Sequence, residues 1–289
     1  MTYSELFEYS VNKLNNAGIT ESESDVRLLF FYLLNIDRSF MFMNGKDEVS
    51  EDDKDKILEA VGRREKRIPL QHITGKQNFM GIEFNVSPDV LIPRFDTETL
   101  VEEAMLVCDD GSKVLDVCTG SGCILLSIMK YKNNIQGFGC DISEAALKVA
   151  ESNSLAVMDE KESETGIKGL CKPTFVLSDL FNDITEKDFD IIVSNPPYIR
   201  SDVIKTLMPE VRDYDPMLAL DGGADGLVFY KRIASDARNY LKKGGHLLVE
   251  IGHDQGDEVG ELFLQNGYSD VKVIKDLAGN DRVVRGIYV

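Results

Sequence analysis

The apolar stretch Lys113-Val114-Leu115-Asp116-Val117 runs directly into Cys118-Thr119-Gly120-Ser121-Gly122, and then into the helical spacing of Ile124, Leu125 and Ile128. Strand, tight glycine turn and helix in that order form the opening unit of a parallel α/β sheet, because such a turn lets backbone amides close on a ligand at the strand's carboxyl end. From there onward strand and helix patterns alternate, which predicts an α/β domain with a mostly parallel sheet and helices on both faces. Strands are expected over 135–140, 174–177, 189–193 and 246–251, and the last two, 271–274 and 283–289, are close enough to pair as an antiparallel edge hairpin. Ser143 caps a helix through Ala146, Leu147 and Ala150, and a helix over 227–241 stops at Gly244-Gly245. The polar stretch 158–172 has no period and reads as an exposed loop without chemistry, while 198–226 reads as a long lid or substrate-shaping loop.

Ahead of this domain the period is helical. Helices are expected over 4–16, over 21–35 and from the N-cap Ser50 toward Pro69. The cluster Arg63, Arg64, Lys66 and Arg67 reads as a solvated helix end. Between 70 and 92 the period shortens to that of a hairpin, and Asp96 or Thr97 then caps a helix through Leu100, Val101 and Ala104. The expected organisation is a helical domain over 1–70, a β-hairpin linker over 71–92 and an α/β domain over 93–289.

Four strand ends carry residues suited to a nucleoside ligand and its reaction partner. Asp141, ending the second strand, can accept from both hydroxyls of a ribose, and Asp179 or Leu180 after the third strand can reach an adenine edge. The loop Asp116-x-Cys118-x-Gly120-x-Gly122 does not fit G-x-G-x-x-G, and Asp116 puts a negative charge where a dinucleotide would put its pyrophosphate. A cationic ligand without phosphates, S-adenosylmethionine, fits better. Asp116 has a second reading as a structural cap for the turn. At the end of the 189–193 strand stands Asn195-Pro196-Pro197-Tyr198, in which two prolines remove two backbone donors and leave the preceding carbonyl free as an acceptor. That makes a rigid acceptor platform for a planar amide or amino group, where the tetrapeptide alone would equally suit a strand-breaking loop.

Composition removes several classes. Among 289 residues the formal charge is −18, which argues against a broad phosphate-binding face and so against direct nucleic-acid binding. No run approaches the ~18–20 consecutive apolar residues of a membrane span, and the start Met1-Thr2-Tyr3-Ser4-Glu5 lacks a signal sequence, so a cytoplasmic protein with no membrane contact is expected; a monomer is expected as well, though nothing in these features sets the oligomeric state. The five cysteines (Cys108, Cys118, Cys123, Cys140, Cys171) include no C-x-x-C pair and are joined by three histidines, which predicts reduced thiols and no metal.

With both halves read, the chain resembles the protein-(glutamine-N5) methyltransferases of the HemK/PrmC type, which modify peptide chain release factors. The resemblance rests on the helical N-terminal part, on Leu91-Ile92-Pro93-Arg94-Phe95-Asp96-Thr97-Glu98, on Asp116 to Gly122, on Asn195 to Tyr198 and on Asp276-Leu277-Ala278-Gly279-Asn280-Asp281-Arg282-Val283-Val284. It implies a Rossmann-like, seven-stranded methyltransferase fold, S-adenosylmethionine as methyl donor with S-adenosylhomocysteine as product, and a release-factor glutamine as acceptor. It also implies the site. Asp116, Cys118, Thr119, Gly120, Ser121, Gly122, Asp141, Asp179, Leu180 and Asn195 would hold the donor, and Asn195, Pro196, Pro197 and Tyr198 would hold the substrate amide, with Tyr198 packed on its plane. Cys118 stands where the family usually has glycine, as in the sister group that methylates a glutamine of a ribosomal protein. Phe95 replaces a usual proline, while Asp96-Thr97-Glu98 follows the release-factor pattern. The alternatives are therefore a ribosomal-protein glutamine, a flipped adenine presenting its N6 amino group, or a silent donor-binding scaffold.

Overall fold

Helix α1 (Tyr3–Asn16) begins at a capping box, with the Thr2 hydroxyl accepting from the Glu5 amide at 3.2 Å and the Glu5 carboxylate accepting from the Thr2 amide at 2.8 Å. In the computed structural model, which describes residues 1–289, the chain forms two compact units: Met1–Lys76 with Met208–Tyr214, and Gln77–Leu207 with Asp215–Val289. The first contains α1, α2 (Ser22–Leu34), α3 (Arg38–Asn44), α4 (Glu51–Glu65) and α5 (Leu70–Thr74). Leu6, Leu14, Val26, Leu29, Phe30, Ile57 and Val61 form its core, as their helical spacing requires.

Two expectations for this unit are corrected. The basic cluster at the end of α4 is not a solvated end throughout: the Arg64 side chain is only 10% exposed, pairs with Asp25 at 2.7 Å and shares Glu210 with Arg67, each at 3.1 Å. Glu210 comes from 146 residues away, so local sequence carried no trace of it. Residues 70–74 are helical rather than hairpin, because Pro69 precedes them and Gly75, at φ 73°, ends them. The hairpin of β1 (Lys76–Phe79) and β2 (Ile82–Asn85) packs into the second unit, where Phe79, Ile82 and Phe84 are buried with Leu100, Val101 and Ala104.

The second unit continues with α6 (Glu98–Val107), β3 (Lys113–Val117), α7 (Cys123–Tyr131), β4 (Gln136–Asp141), α8 (Glu144–Thr165), β5 (Thr174–Leu177) and β6 (Phe189–Ser194). After β6 come the short turns α9 (Pro209–Arg212, in the segment that belongs to the first unit) and α10 (Met217–Leu220). The chain closes with α11 (Val228–Asp236), β7 (Leu241–Glu250), α12 (Gly256–Gln265), β8 (Tyr268–Lys275) and β9 (Asp281–Tyr288). The seven-stranded sheet has the order β5-β4-β3-β6-β7-β9-β8. It is parallel except at β9, which runs antiparallel to both β7 and β8. The chain builds outward from β3 in one direction and then in the other, so its topological switch lies at the carboxyl ends of β3 and β6. Register keeps those ends level, with Val117 opposite both Cys140 and Ser194, and Ser194 opposite Val249.

Two further corrections concern elements. The stretch 158–172 is not a loop throughout, since α8 runs to Thr165 and stops at Gly166, φ 71°. Lys161 is buried and its ammonium donates to the Met129 carbonyl at 2.7 Å and the Lys132 carbonyl at 2.5 Å, at the end of α7 where the helix dipole favours a cation. Lys130 pairs with Glu160 at 3.0 Å and Glu164 at 2.6 Å. Acids four apart that look like polar filler thus share one cation. Near the other end, α11 stops at Asp236 and β7 already starts at Leu241. Gly244-Gly245 lies inside that strand, where a Cβ on Gly245 would meet the Lys242 and Phe189 carbonyl oxygens at 2.9 Å.

Candidate active site

The glycine turn after β3 takes its shape from positive φ at Cys118 (62°), Gly120 (54°) and Gly122 (79°). A Cβ at Gly122 would lie 3.1 Å from Leu126 Cδ1 and 3.2 Å from Ala150 Cβ, so glycine here permits close approach of α8. At Gly120 a Cβ would meet no atom within 4 Å. That open side belongs to a cavity of about 180 Å³, lined by Cys118, Thr119, Gly120 and Ser121 from the turn, Asp141, Asp179, Leu180, Asn195 and Pro197 from the following strand ends, and Arg94 and Thr97 from the segment before α6.

Asp116 is not in the cavity wall. It is fully buried beneath the turn, accepts the Thr119 hydroxyl at 2.7 Å, and burial raises its pKa to about 7. Placed so, the carboxylate holds the turn, as its second reading as a cap has it. Gly122, Pro196 and Tyr198 likewise lie outside the wall.

Asp141 faces the cavity with both oxygens engaged from behind: Oδ2 accepts the Gly120 amide and Oδ1 the Ser143 amide, both at 2.9 Å. Burial raises its pKa against these amide bonds. A carboxylate oxygen has a second lone-pair direction, so each can still accept a hydroxyl. Asp179 is held bidentately by Arg232 at 2.9 Å on both oxygens, which leaves its edge and the buried Leu180 as the wall where an adenine was expected.

Ser194 donates its hydroxyl to the Val117 carbonyl at 2.6 Å, locking the end of β6 to that of β3 and fixing where Asn195 emerges. The Asn195 Nδ2 donates to Thr97 Oγ1 at 3.3 Å, while the carbonyl of Pro196 takes part in no hydrogen bond. Tyr198 does not present its hydroxyl to the cavity. It donates to Glu250 Oε1 at 3.2 Å, and its carbonyl accepts from Gln255 at 3.2 Å.

Sequence reasoning missed four residues here. Thr97, expected as an alternative helix cap, makes no capping bond and is the partner of Asn195. Glu250, at the end of β7, is 2% exposed; burial lifts its pKa to about 7 against the opposing effects of the Thr97 hydroxyl, Arg282 and Tyr198. Arg282 is fixed by Asp276 at 3.1 Å and Asp96 at 3.2 Å, which gives the closing Asp276–Arg282 motif a place behind the tetrapeptide. Arg94 lines the cavity and pairs at 2.5 Å with Asp215, whose side chain is fully buried. The visible signal was that Arg94, Asp96 and Thr97 crowd one short motif.

The donor set fits a sulfonium nucleoside. The cavity offers three carboxylates (Asp89, Asp141 and Asp179), apolar walls and open space above Gly120, and its one arginine is already paired, so nothing there would neutralise a pyrophosphate. Residues 5–75 match the PrmC N-terminal domain and residues 93–210 the methyltransferase small domain. Along 96% of its length the chain is 40% identical to a release factor glutamine methyltransferase of Clostridium acetobutylicum, covering 95% of that protein. The chain belongs to the release factor glutamine methyltransferases. A second member, from Geobacter sulfurreducens, is 36% identical over 99% of this chain and 96% of its own. The crystal structure of a release factor-specific protein-(glutamine-N5) methyltransferase from Alicyclobacillus acidocaldarius is 33% identical, covering 70% of this chain and 98% of that one with a TM-score of 0.40. In this family's enzyme S-adenosylmethionine is the methyl donor and S-adenosylhomocysteine the product. No helix is long and apolar enough to cross a membrane.

Proposed function

We propose that this chain methylates the side-chain amide nitrogen of the glutamine in the Gly-Gly-Gln motif of peptide chain release factors, as a cytoplasmic monomer without direct nucleic-acid binding. The observation that carries the reading is that Asn195, its amide tied to Thr97, stands in the same cavity wall as the glycine turn and Asp141. When bound there, S-adenosylmethionine supplies a methyl group activated by its sulfonium charge.

A glutamine amide is a poor nucleophile because its nitrogen lone pair is delocalised into the carbonyl. Asn195 Oδ1 accepts one hydrogen of the substrate NH₂ and the Pro196 carbonyl accepts the other. Both acceptors are stiff, Asn195 through Thr97 and Pro196 through its ring and the proline that follows. Held this way the nitrogen would be presented to the sulfonium methyl that S-adenosylmethionine supplies when bound, and the two oxygens would stabilise the positive charge on it until its proton passes to water, so no strong base is needed. Asp141, held by the Gly120 amide, would hold the donor's ribose, while Asp116 keeps the turn in shape from below.

Replacing Asn195 with alanine tests this directly. The expected result is a loss of kcat of about a hundredfold or more, with the dissociation constant for S-adenosylmethionine little changed by calorimetry. Retention of most of the transfer activity would remove Asn195 from its assigned role.

A further inference from the structure

An asparagine amide can be held either way round, and only one orientation presents an oxygen to a substrate NH₂. What decides between them lies behind the tetrapeptide. Asn195 Nδ2 donates to Thr97 Oγ1 at 3.3 Å. A threonine hydroxyl has a single hydrogen, and that of Thr97 makes no helix-capping bond; it faces the Glu250 carboxylate. Glu250 Oε1 accepts the Tyr198 hydroxyl at 3.2 Å, while Oε2 is buried and takes no bond of full geometry. The Tyr198 hydroxyl is bonded to Glu250 and the Thr97 hydroxyl lies near it, so the carboxylate stands between the residue that holds the Asn195 amide and the last residue of the tetrapeptide.

We infer that Glu250 is a positioning residue that sets the polarity of this chain: as an acceptor-only carboxylate it draws the Thr97 hydrogen, so that Thr97 Oγ1 accepts from Asn195 Nδ2 and Asn195 Oδ1 is turned to the substrate. The inference rests on the proposed role of Asn195. Its physical content is directional. A carboxylate has no hydrogen to give, whereas an uncharged amide at the same place can donate to Thr97, let the threonine hydroxyl donate to Asn195 instead, and turn the Asn195 NH₂ toward the substrate NH₂. Two donors would then face each other. Position also supports the assignment, since β7 pairs with β6 in a register that sets Val249 beside Ser194 and so brings Glu250 level with Asn195.

The test compares Thr97→Val, Thr97→Ser, Glu250→Gln and the Thr97→Val/Glu250→Gln double variant, with Asn195→Ala alongside. Assays use the full chain, a release factor and labelled S-adenosylmethionine in mildly alkaline buffer, where Glu250 is ionised. Thr97→Val and Glu250→Gln should each lower kcat about tenfold or more, with donor affinity and the circular dichroism spectrum retained. Thr97→Ser should restore most of the rate, and the double variant should be little worse than the poorer single one, because both act through one chain of hydrogen bonds. Wild-type kcat in Thr97→Val, or losses that multiply in the double variant, would overturn the inference. Should Glu250→Gln fail to fold, the Thr97→Val and Thr97→Ser pair still decides. An active Asn195→Ala would instead bring down the reading of the site on which the inference rests.

Discussion

At the scale of single residues, the site separates two aspartates that look alike in sequence. Asp141 lies in the cavity wall and Asp116 beneath it, so their substitutions should differ in kind. Asp141→Ala is expected to weaken S-adenosylmethionine binding about tenfold or more, the scale of a lost charge-assisted hydrogen bond, by calorimetric titration; an unchanged affinity would leave Asp141 only its bonds to Gly120 and Ser143. Asp116→Asn should act on stability. Burial raises the Asp116 pKa from 3.8 to about 7 in the folded chain, so the folded state holds the proton more tightly than the unfolded one. The group's contribution is fully present below pH 3.8 and is lost as pH rises toward about 7. Asparagine has no charge to desolvate. Thermal melts should therefore show the variant gaining on the parent across that window, by a few kcal/mol at most, and no pH-dependent difference would contradict the burial argument. The sequence left Asp116 with two readings because spacing shows that a carboxylate ends β3 and not which way it points.

Elements were legible where pattern and partner are local. The glycine turn, the strand that ends in Asp141 and the strand that delivers Asn195 depend on neighbours a few residues away, and all three appear where the sequence places them. The last third of α8 and the buried Arg64 did not, because what stabilises them is distant: the α7 carbonyls for Lys161 and Glu210 for Arg64. Thr97 shows the same limit inside the site, since a threonine just before a helix reads as a cap until its partner 98 residues away is known. The helical state of α8 has a simple test. Asp159→Pro should lower stability by about 3 kcal/mol in urea denaturation, since proline inside a helix removes a hydrogen bond and clashes with the preceding turn; a stretch without helix would accept it at little cost.

At the scale of the whole molecule, the residues proposed to hold the donor and those proposed to hold the acceptor come from opposite directions of sheet building. β3, β4 and β5 end in the turn, Asp141 and Asp179, while β6 and β7 end in Asn195 and Glu250, and the switch between the directions puts both sets at one edge. After the tetrapeptide the chain contributes Met208–Tyr214 to the helical unit and then returns at Asp215, the partner of Arg94. The same stretch of chain therefore serves the fold of one unit and the cavity wall of the other. The chain transfers a methyl group to a glutamine side chain of a release factor, and this edge is where we place the transfer. Tandem mass spectrometry of a release factor incubated with the protein and S-adenosylmethionine should find one added methyl on the glutamine of the Gly-Gly-Gln motif, absent with Asn195→Ala; an unmodified glutamine beside a methylated adenine in added DNA would contradict it.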